Sequence, residues 1–193
     1  MTDAALVVFA HPALQKSRAN VRLLRALDGL EGVTLDDLYE RYPDFQIDVE
    51  HEQALLLDHD HVVLQHPLHW YSVPALLKQW FDLVLAWGWA YGPGGDHLAG
   101  KSLQVVTTAG GGVEAYARTG HNRYTIDELL RPIEQTARLC GMRWRPPLVV
   151  HGAGRIPANE FETVHVPAYR ELLIGLGARR TTAERPTGSR STS

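Results

Sequence analysis

The sequence predicts a three-layer α/β sandwich built on a parallel sheet. Short apolar runs of strand length alternate along the chain with segments in which apolar residues recur at helical spacing. Alternation of this kind is typical of parallel strands joined by right-handed helical crossovers. The chain has 193 residues, of which 45% are hydrophobic and 21% are charged. That size and balance are typical of one globular domain.

The amino-terminal part of the chain supplies two predicted strands. The first, residues 4–10, is a continuous apolar run, as expected for a strand that is covered on both faces. A helix is predicted over 17–30, because leucines recur there on one stripe. Residues 33–38 form the second predicted strand. A turn-rich segment over 41–48 and a short helix over 50–57 follow.

The middle of the chain supplies two further strands, over 61–66 and 101–108. A helix is predicted between them over 73–87, with Ser72 as its cap and Pro74 in its first turn. This helix is apolar around most of its circumference, which is more than one sheet face can cover. Burial within a single core would be the simplest explanation, but a dimer interface accounts better for the excess.

The carboxyl-terminal part is predicted to contain a helix over 124–139, a fifth strand over 148–151 and a last helix over 157–175. Residues 179–193 are polar, and we expect this tail to be disordered. Cys140 is the only cysteine, so an intramolecular disulfide and a thiolate metal site are both excluded.

Five strands in this alternation suit the order 2-1-3-4-5, which is the flavodoxin-like arrangement, within one domain over residues 1–178. In open sheets of this kind the ligand binds beyond the carboxyl ends of the strands. That rule points to three loops, at 11–20, 66–73 and 107–121.

The first of these loops carries groups that suit a phosphate. Ser17 and Asn20 stand at the start of a helix, where unpaired backbone N–H groups and a side-chain hydroxyl can donate hydrogen bonds. Arg18 adds a positive charge. The alternative is that Ser17 is only a helix cap. The loop contains neither G-x-G-x-x-G nor G-x-x-x-x-G-K-[ST], which argues against a Rossmann or P-loop nucleotide site.

The second loop places two aromatic residues, Trp70 and Tyr71, shortly after a strand. Such side chains could form the wall of a site for a flat aromatic ring, with neighbouring backbone groups bonding its polar edge. They could equally close the top of the core, because large aromatic residues often fill cores.

The third loop begins at Thr107 and Thr108, continues through glycines at 110–112, and reaches Tyr116 and His121. Glycines let a backbone approach a ligand closely, and threonine hydroxyls can bond its polar atoms. A glycine-rich turn alone is weak evidence, because glycine is the usual turn residue. Since all three loops fall at the same edge of the sheet, coincidence is a poor explanation.

Five motifs occur in order within residues 4–152. They are His11-Pro12…Ser17-x-Ala19-Asn20, Leu38-Tyr39…Tyr42-Pro43-Asp44-Phe45, His66-Pro67-x-x-Trp70-Tyr71-Ser72-x-Pro74, Gly88-Trp89-Ala90-Tyr91-Gly92 and Thr107-Thr108-x-Gly110-Gly111. Together they resemble the FMN-dependent NAD(P)H quinone reductases of the flavodoxin-like fold. Within that group the chain is most similar to the cytoplasmic ancillary proteins of the glutathione-gated potassium-efflux (Kef) antiporters.

The resemblance implies which residues would hold FMN. The segment 17–20 would bind the phosphate with His11 beside it, the second loop would flank the isoalloxazine, and the third would bond its pyrimidine side. The implied cofactor-binding residues are His11, Ser17, Arg18, Ala19, Asn20, Leu68, His69, Trp70, Tyr71, Thr107, Thr108, Ala109 and Gly110. Relatives of the DT-diaphorase type use a tyrosine and a histidine to stabilise the reduced flavin anion, which implies catalytic roles for Tyr116 and His121.

The implied reaction is that of an NAD(P)H:quinone oxidoreductase. NADPH or NADH would transfer a hydride to the flavin, and after nicotinamide leaves, a quinone-type acceptor would occupy the same pocket, in a ping-pong scheme. The resemblance also implies a homodimer in which the partner subunit completes each flavin site.

Two other functions stay open. A regulatory subunit would dock on a potassium-efflux antiporter and sense redox state through its flavin. A one-electron carrier like flavodoxin would have a strongly acidic surface, whereas the net charge here is only -3. The charges are scattered, which argues against a nucleic-acid partner.

Neither a metal nor a membrane span is expected. The histidines at 59–69 have no cysteine nearby and form no H-E-x-x-H pair, and His61 and His66 fall on opposite faces of a strand. The start of the chain lacks a signal-peptide pattern, and no run reaches the roughly 18 apolar residues of a transmembrane helix. We therefore expect a cytoplasmic protein, which an antiporter partner would hold at the inner face of the cell membrane.

Overall fold

The structure is a computed structural model, and it describes residues 4–181 of the chain. Within that range the strands are β1 Ala5–Phe9, β2 Leu30–Glu31, β3 Val33–Asp37, β4 His61–Pro67, β5 Ser102–Thr108, β6 Arg143–Trp144, β7 Leu148–Val150 and β8 Arg179–Arg180. The α-helices are α1 Arg18–Leu24, α2 Leu38–Arg41, α3 Val49–Asp58, α4 Ala75–Val84, α5 Ile126–Leu139, α6 Ala158–Glu160 and α7 Val166–Gly175. Short 3₁₀ turns occupy Leu14–Lys16, Arg25–Leu27 and Val113–Tyr116, and a π-helical turn, Phe161–His165, joins α6 to α7.

The central sheet is parallel, in the order β3-β1-β4-β5, with β6 and β7 both pairing with the free side of β5. This confirms the predicted order 2-1-3-4-5, with one difference, since the fifth position is shared by two short strands. Pro146 and Pro147 lie between them, and proline has no N–H to donate to a strand ladder. The Gln104 side chain instead donates a hydrogen bond to the Pro146 carbonyl.

Helices cover the sheet on both sides. On one face α3, α4 and α5 pack over alternate strand residues such as Leu6 and Val8. On the other face α1 and α7 pack over Ala5 and Val7. β1 is therefore buried on both faces, which is why it appears in the sequence as a continuous apolar run, whereas β3 at the edge of the sheet is partly exposed. None of the helices between residues 4 and 181 is long and apolar enough to cross a membrane.

Two predicted boundaries near the chain termini were wrong for one shared reason. The first helix was predicted to run to Leu30, and the disordered tail was predicted to begin at Arg179. Instead Leu30–Glu31 and Arg179–Arg180 pair as the antiparallel strands β2 and β8. Strand pairing depends on a distant partner, so neither segment shows it locally. Residues 182–193 of the predicted tail lie outside the described residues.

The predicted helix over 73–87 is shorter in the structure. Pro74 occupies the cap position of α4 without a side-chain hydrogen bond, so the prediction of Ser72 as the cap was wrong. Both backbone polar groups of Ser72 pair with His69 in a turn. Trp87 lies beyond the end of the helix, in a loop in which it bridges to Tyr91. The helix α2, Leu38–Arg41, was not predicted. α3 and α5 begin and end close to their predicted positions, and Thr125 and Glu128 form a capping box ahead of α5.

Candidate functional site

The carboxyl ends of β1, β4 and β5 bring the three candidate loops together. The first and third loops meet where the Asn20 side-chain amide donates to Thr108 Oγ1, across 3.1 Å. The first and second loops meet where the rings of His11 and His69 lie edge to face, 6.2 Å apart. Segments that are far apart in sequence thus form one continuous region at the edge that the topology indicates.

In the first loop, Ser17 caps α1. Its Oγ accepts hydrogen bonds from the Asn20 backbone N–H at 3.1 Å and from the Asn20 side chain at 3.4 Å. The cap interpretation is therefore right, and it leaves the hydroxyl hydrogen of Ser17 for a ligand. Asn20 is buried, and its Oδ1 has no hydrogen-bond partner among the described residues. Unpaired buried acceptors are rare and call for a missing donor.

The other first-loop residues differ in what they offer. Arg18 is exposed and makes no ion pair within residues 4–181, so its charge is free to meet an anion. Ala19 is buried and packs into the core between the sheet and α1 and α7. His11 Nδ1 accepts from the Ala13 N–H at 3.1 Å. Burial first, and the neighbouring His69 second, hold the pKa of His11 below its ordinary value, which favours a neutral ring.

The second loop is a two-residue turn with Trp70 and Tyr71 at its centre. His69 N–H donates to Ser72 O at 3.0 Å, and Ser72 N–H donates back to His69 O at 2.9 Å. Both aromatic residues are left-handed, with φ of 48° and 64°. Turns of this kind favour Asn or Gly, because a left-handed residue with a Cβ costs roughly 1–2 kcal/mol. Such strain persists mainly at functional sites.

That turn holds its rings outside the core, and Trp70 is 93% exposed. The alternative that these residues close the top of the core is therefore wrong for Trp70. Leu68, just before the turn, is half-buried and packs against the core.

In the third loop some polar groups already have hydrogen-bond partners and others are open to a ligand. Ala109 N–H donates to Val150 O at 2.9 Å, and its carbonyl accepts from Ala153 at 3.0 Å, so both backbone groups already have partners. Gly110 is exposed, and a Cβ built on it would meet no atom within 4 Å, so a ligand can approach its backbone. Thr107 is fully buried, and its Oγ1 has no partner among the described residues.

Thr107 lies beside a second unpartnered group. His66 pairs in register with Thr107 across β4 and β5. Burial lowers the pKa of His66 to about 4, so the ring is neutral, and its Nδ1 lies 3.0 Å from Pro67 O. That contact makes Nδ1 the donor and leaves Nε2 as an acceptor, which has no partner in the described range.

A cavity of about 360 Å³ lies between the second and third loops. This volume is within the range of small-molecule sites. Its walls combine aromatic rings, backbone and polar side chains. The lining residues are Leu68, Trp70, Tyr71, Gly111, Ala115, Tyr116, His121 and Asn122. This cavity contains both residues for which catalytic roles were predicted.

The two predicted catalytic residues stand in different environments. Tyr116 is buried, and burial raises the pKa of its hydroxyl above the ordinary value, against a smaller opposing effect of a hydrogen bond to the Gly111 backbone. Its hydroxyl is therefore protonated at neutral pH and can donate a hydrogen bond. His121 is exposed at the rim of the cavity.

Two residues at this site had not been identified from the sequence. The ring of His151 lies 5.7 Å from that of Tyr116, and burial lowers the pKa of His151, although Glu114 opposes this. His151 directly follows β7, so its place at the carboxyl edge could have indicated it. Asn122 accepts a hydrogen bond from the Tyr71 hydroxyl across 3.2 Å. Nothing in the sequence distinguishes Asn122 from an ordinary loop residue.

The clustered histidines have other partners. His59 hydrogen-bonds to Leu55 O and Thr34 Oγ1, and His61 to Ser102 Oγ. Among residues 4–181, no three metal-ligating side chains lie close enough together to hold an ion.

Comparison with known proteins places this geometry in a family. A family model described as the flavodoxin-like fold matches residues 4–172. The glutathione-regulated potassium-efflux system ancillary protein KefG of Cronobacter sakazakii is 49% identical over 172 residues, covering 89% of this chain and 93% of that protein.

Solved structures agree with this match. The general stress protein 14 of Treponema denticola, in complex with FMN, is 35% identical with a TM-score of 0.82, covering 90% of this chain and 99% of that one. An NADPH-quinone reductase from P. pentosaceus is 34% identical with a TM-score of 0.80, covering 88% and 97%. The chain therefore belongs to the family of proteins with the flavodoxin-like fold, and its relatives include KefG proteins.

Proposed function

We propose that the protein is an FMN-dependent NAD(P)H:quinone oxidoreductase. The observation that carries the proposal is a pair of buried polar atoms, Asn20 Oδ1 and Thr107 Oγ1, that have no partner among residues 4–181 and lie at the strand edge that also carries an aromatic-walled cavity. These atoms call for a ligand with polar groups, and the cavity suits a flat ring. The similarity to an FMN complex and to an NADPH-quinone reductase supports the same conclusion.

The first loop would hold the phosphate of FMN. The hydroxyl hydrogen of Ser17 and the exposed guanidinium of Arg18 would donate to it, with neutral His11 beside them and Asn20 and Ala19 shaping the floor. Hydrogen bonds in which the donor or the phosphate is charged are stronger than those between neutral groups.

The second and third loops would hold the isoalloxazine. Leu68, His69, Trp70 and Tyr71 would flank the ring, and Thr107, Thr108 and Gly110 would bond its pyrimidine side. Ala109 would contribute shape rather than hydrogen bonds, because its backbone groups are already paired. When bound, FMN supplies the capacity to accept a hydride and pass it on.

The chain's own contribution to the chemistry would be electrostatic. The protonated hydroxyl of Tyr116 would donate to negative charge that develops in the cavity. His121, exposed at the rim of the cavity, would lie between bulk water and a bound acceptor and could pass protons between them. Because the proposed site has one cavity beside these residues, we expect NAD(P)H and the acceptor to occupy it in turn, in a ping-pong scheme.

The experiment that tests this is a visible spectrum of the purified protein, recorded before and after anaerobic NADPH and then after menadione. Flavin bands that bleach with NADPH and return with menadione are expected. NADH in a parallel titration shows which nucleotide is preferred. Flavin that resists both nucleotides would contradict the reductase function, and no uptake of FMN would contradict the site itself.

A second function is favoured by the KefG relatives, whose name assigns them to a potassium-efflux system. In this alternative the protein is a cytoplasmic regulatory subunit that binds an antiporter at the inner face of the cell membrane. Both roles are compatible in one molecule. Co-purification with a co-encoded antiporter, measured with and without FMN, tests the idea, and its absence under both conditions would remove it.

We further propose that two copies form a homodimer through α4 and α5. A groove of about 290 Å³ between these helices is lined by apolar residues including Phe81, Leu85 and Leu139. Beside it Trp87 is 68% exposed, which is unusual for so large an apolar side chain. A second copy seated there would cover Trp87 and fill the groove.

A further inference from the structure

Asn122 belongs to none of the motifs quoted above, yet it is tied to the second loop. The Tyr71 hydroxyl donates to Asn122 Oδ1 across 3.2 Å. Within the described range, this is the one side-chain hydrogen bond that links the Trp70–Tyr71 turn to another loop. Both partners line the 360 Å³ cavity, so the contact closes its wall.

The backbone of Asn122 is held firmly, although it lies in a loop. Its N–H donates to Ala115 O at 2.9 Å, and its carbonyl accepts from Tyr124 N–H at 2.8 Å. Gly120 permits this close packing, because a Cβ there would lie 2.1 Å from Glu114 O. Asn122 is therefore a fixed part of the cavity wall and not a loose loop tip.

The contact with Tyr71 uses only one end of the Asn122 side-chain amide. The oxygen faces the tyrosine hydroxyl, and the NH₂ group has no hydrogen-bond partner among residues 4–181. The residues that line the cavity include no carboxylate and no lysine or arginine. Asn122 and Tyr116 are thus two neutral donors in one cavity, a pairing that suits an uncharged oxygen acceptor such as a carbonyl.

We propose that Asn122 is a substrate-positioning residue. Its NH₂ group binds a carbonyl oxygen of the electron acceptor, and its bond to Tyr71 orients the amide for that contact. The inference rests on the proposed reductase function and deepens it, because it assigns the acceptor to the class of conjugated carbonyl compounds such as quinones.

The test compares two acceptors with the FMN-loaded protein at saturating NADPH. Menadione has carbonyl oxygens for Asn122 to bind, and ferricyanide has none. For Asn122→Ala we expect the ratio of kcat/KM for menadione to that for ferricyanide to fall about tenfold, through a higher KM for menadione. Asn159→Ala, an exposed asparagine on α6, is the matched control and should leave the ratio unchanged.

A binding measurement separates this inference from the proposed function. Calorimetric titration of the oxidised, FMN-loaded protein with menadione should give a Kd about tenfold higher for Asn122→Ala than for the wild-type protein. Tyr71→Phe should raise the menadione Kd by a smaller factor. The double variant should raise it by less than the product of the two single factors, because the residues act as a unit.

An equal effect on both acceptors, or an unchanged menadione Kd, would overturn the role of Asn122. A wild-type protein that takes up FMN but reduces neither acceptor would refute the reductase function instead. In that case the two menadione titrations would still decide whether Asn122 binds a carbonyl.

Discussion

Tyr42 and Glu52 form a buried hydrogen bond in which the tyrosine hydroxyl donates to Glu52 Oε1 across 2.6 Å. Trp80 Nε1 donates to the other carboxylate oxygen at 2.8 Å. Asp36 is also fully buried and pairs with Arg41 at 2.6 Å. Burial, and then the charge of Asp36, raise the pKa of Glu52 to about 7, against the opposing effect of the Tyr42 and Trp80 bonds.

This cluster predicts a pH dependence of stability. The folded protein holds a proton on Glu52 more tightly than the unfolded chain, in which the pKa is near 4.5. The contribution is therefore fully present below pH 4.5 and is lost as pH rises through about 7, by on the order of 3 kcal/mol. Glu52→Gln should flatten the dependence of Tm on pH between 5 and 8.

Glu50→Gln is the control for that measurement, since Glu50 lies exposed on the same helix. The Glu50→Gln variant should keep the wild-type slope of Tm against pH. If Glu52→Gln keeps the same slope, Glu52 is not the source of the pH dependence.

Arg18 should contribute to FMN affinity through the phosphate alone. Because it is exposed and makes no ion pair in the described structure, Arg18→Ala should leave Tm unchanged. We expect FMN affinity to fall roughly fivefold, which is about 1 kcal/mol, and riboflavin affinity to stay constant. Flavin fluorescence titration measures both. Arg131→Ala, exposed on α5, is the control, and equal losses for FMN and riboflavin would refute a phosphate contact.

At position 70 the usual stability order of alanine and glycine variants should be reversed. Alanine would keep the strain of the left-handed backbone, whereas glycine would remove it. Trp70→Gly should therefore be more stable than Trp70→Ala by roughly 0.5–1 kcal/mol, after the flexibility of glycine in the unfolded chain is included. Denaturant unfolding measures the difference. The alanine and glycine variants of Tyr124, a residue that lacks a positive φ, should show the usual order, with the alanine variant more stable.

Tyr116 should matter to turnover and not to FMN retention. Tyr116→Phe removes the buried donor hydroxyl and should lower kcat by roughly 10-fold to 100-fold. His121→Gln should have a smaller effect, because His121 is at the rim. Stopped-flow half-reactions with NADPH and with menadione show which step slows. Tyr124→Phe is the exposed control, and wild-type rates in Tyr116→Phe would exclude Tyr116 from the reaction.

The proposed dimer makes a prediction at Trp87. Trp87→Glu places a charge where a second copy would bury an apolar ring, and sedimentation should show a shift from dimer to monomer. Val164→Glu changes an exposed apolar residue elsewhere and should not. A wild-type protein that sediments as a monomer at micromolar concentration would refute the interface.

The sheet could be predicted largely from the sequence because its most buried strand, β1, is a continuous apolar run and because strands alternate with helices along the chain. The strand order follows from the rules of parallel connection, whereas β6, Arg143–Trp144, was not predicted. The β2–β8 pair could not be predicted, since each strand has two residues and its partner is about 150 positions away.

Topology predicted the edge of the sheet and the three loops at which the candidate site lies. The roles of residues such as Asn20, Thr107 and Tyr116 came from the family resemblance and stay predictions. The contacts that set their roles depend on side-chain orientation. Examples are the Tyr71–Asn122 bond and the approach of His151 to Tyr116.

The division of the fifth strand at Pro146 and Pro147 has a consequence for assembly. An intact outer strand would present a row of free N–H and C=O groups, to which another chain could add as a new strand. Here the border is two short strands, Arg143–Trp144 and Leu148–Val150, and between them Pro146 and Pro147 have no N–H to donate. Growth of the sheet across that border is therefore disfavoured, so among the described strands a further strand would add more readily at the opposite edge, β3.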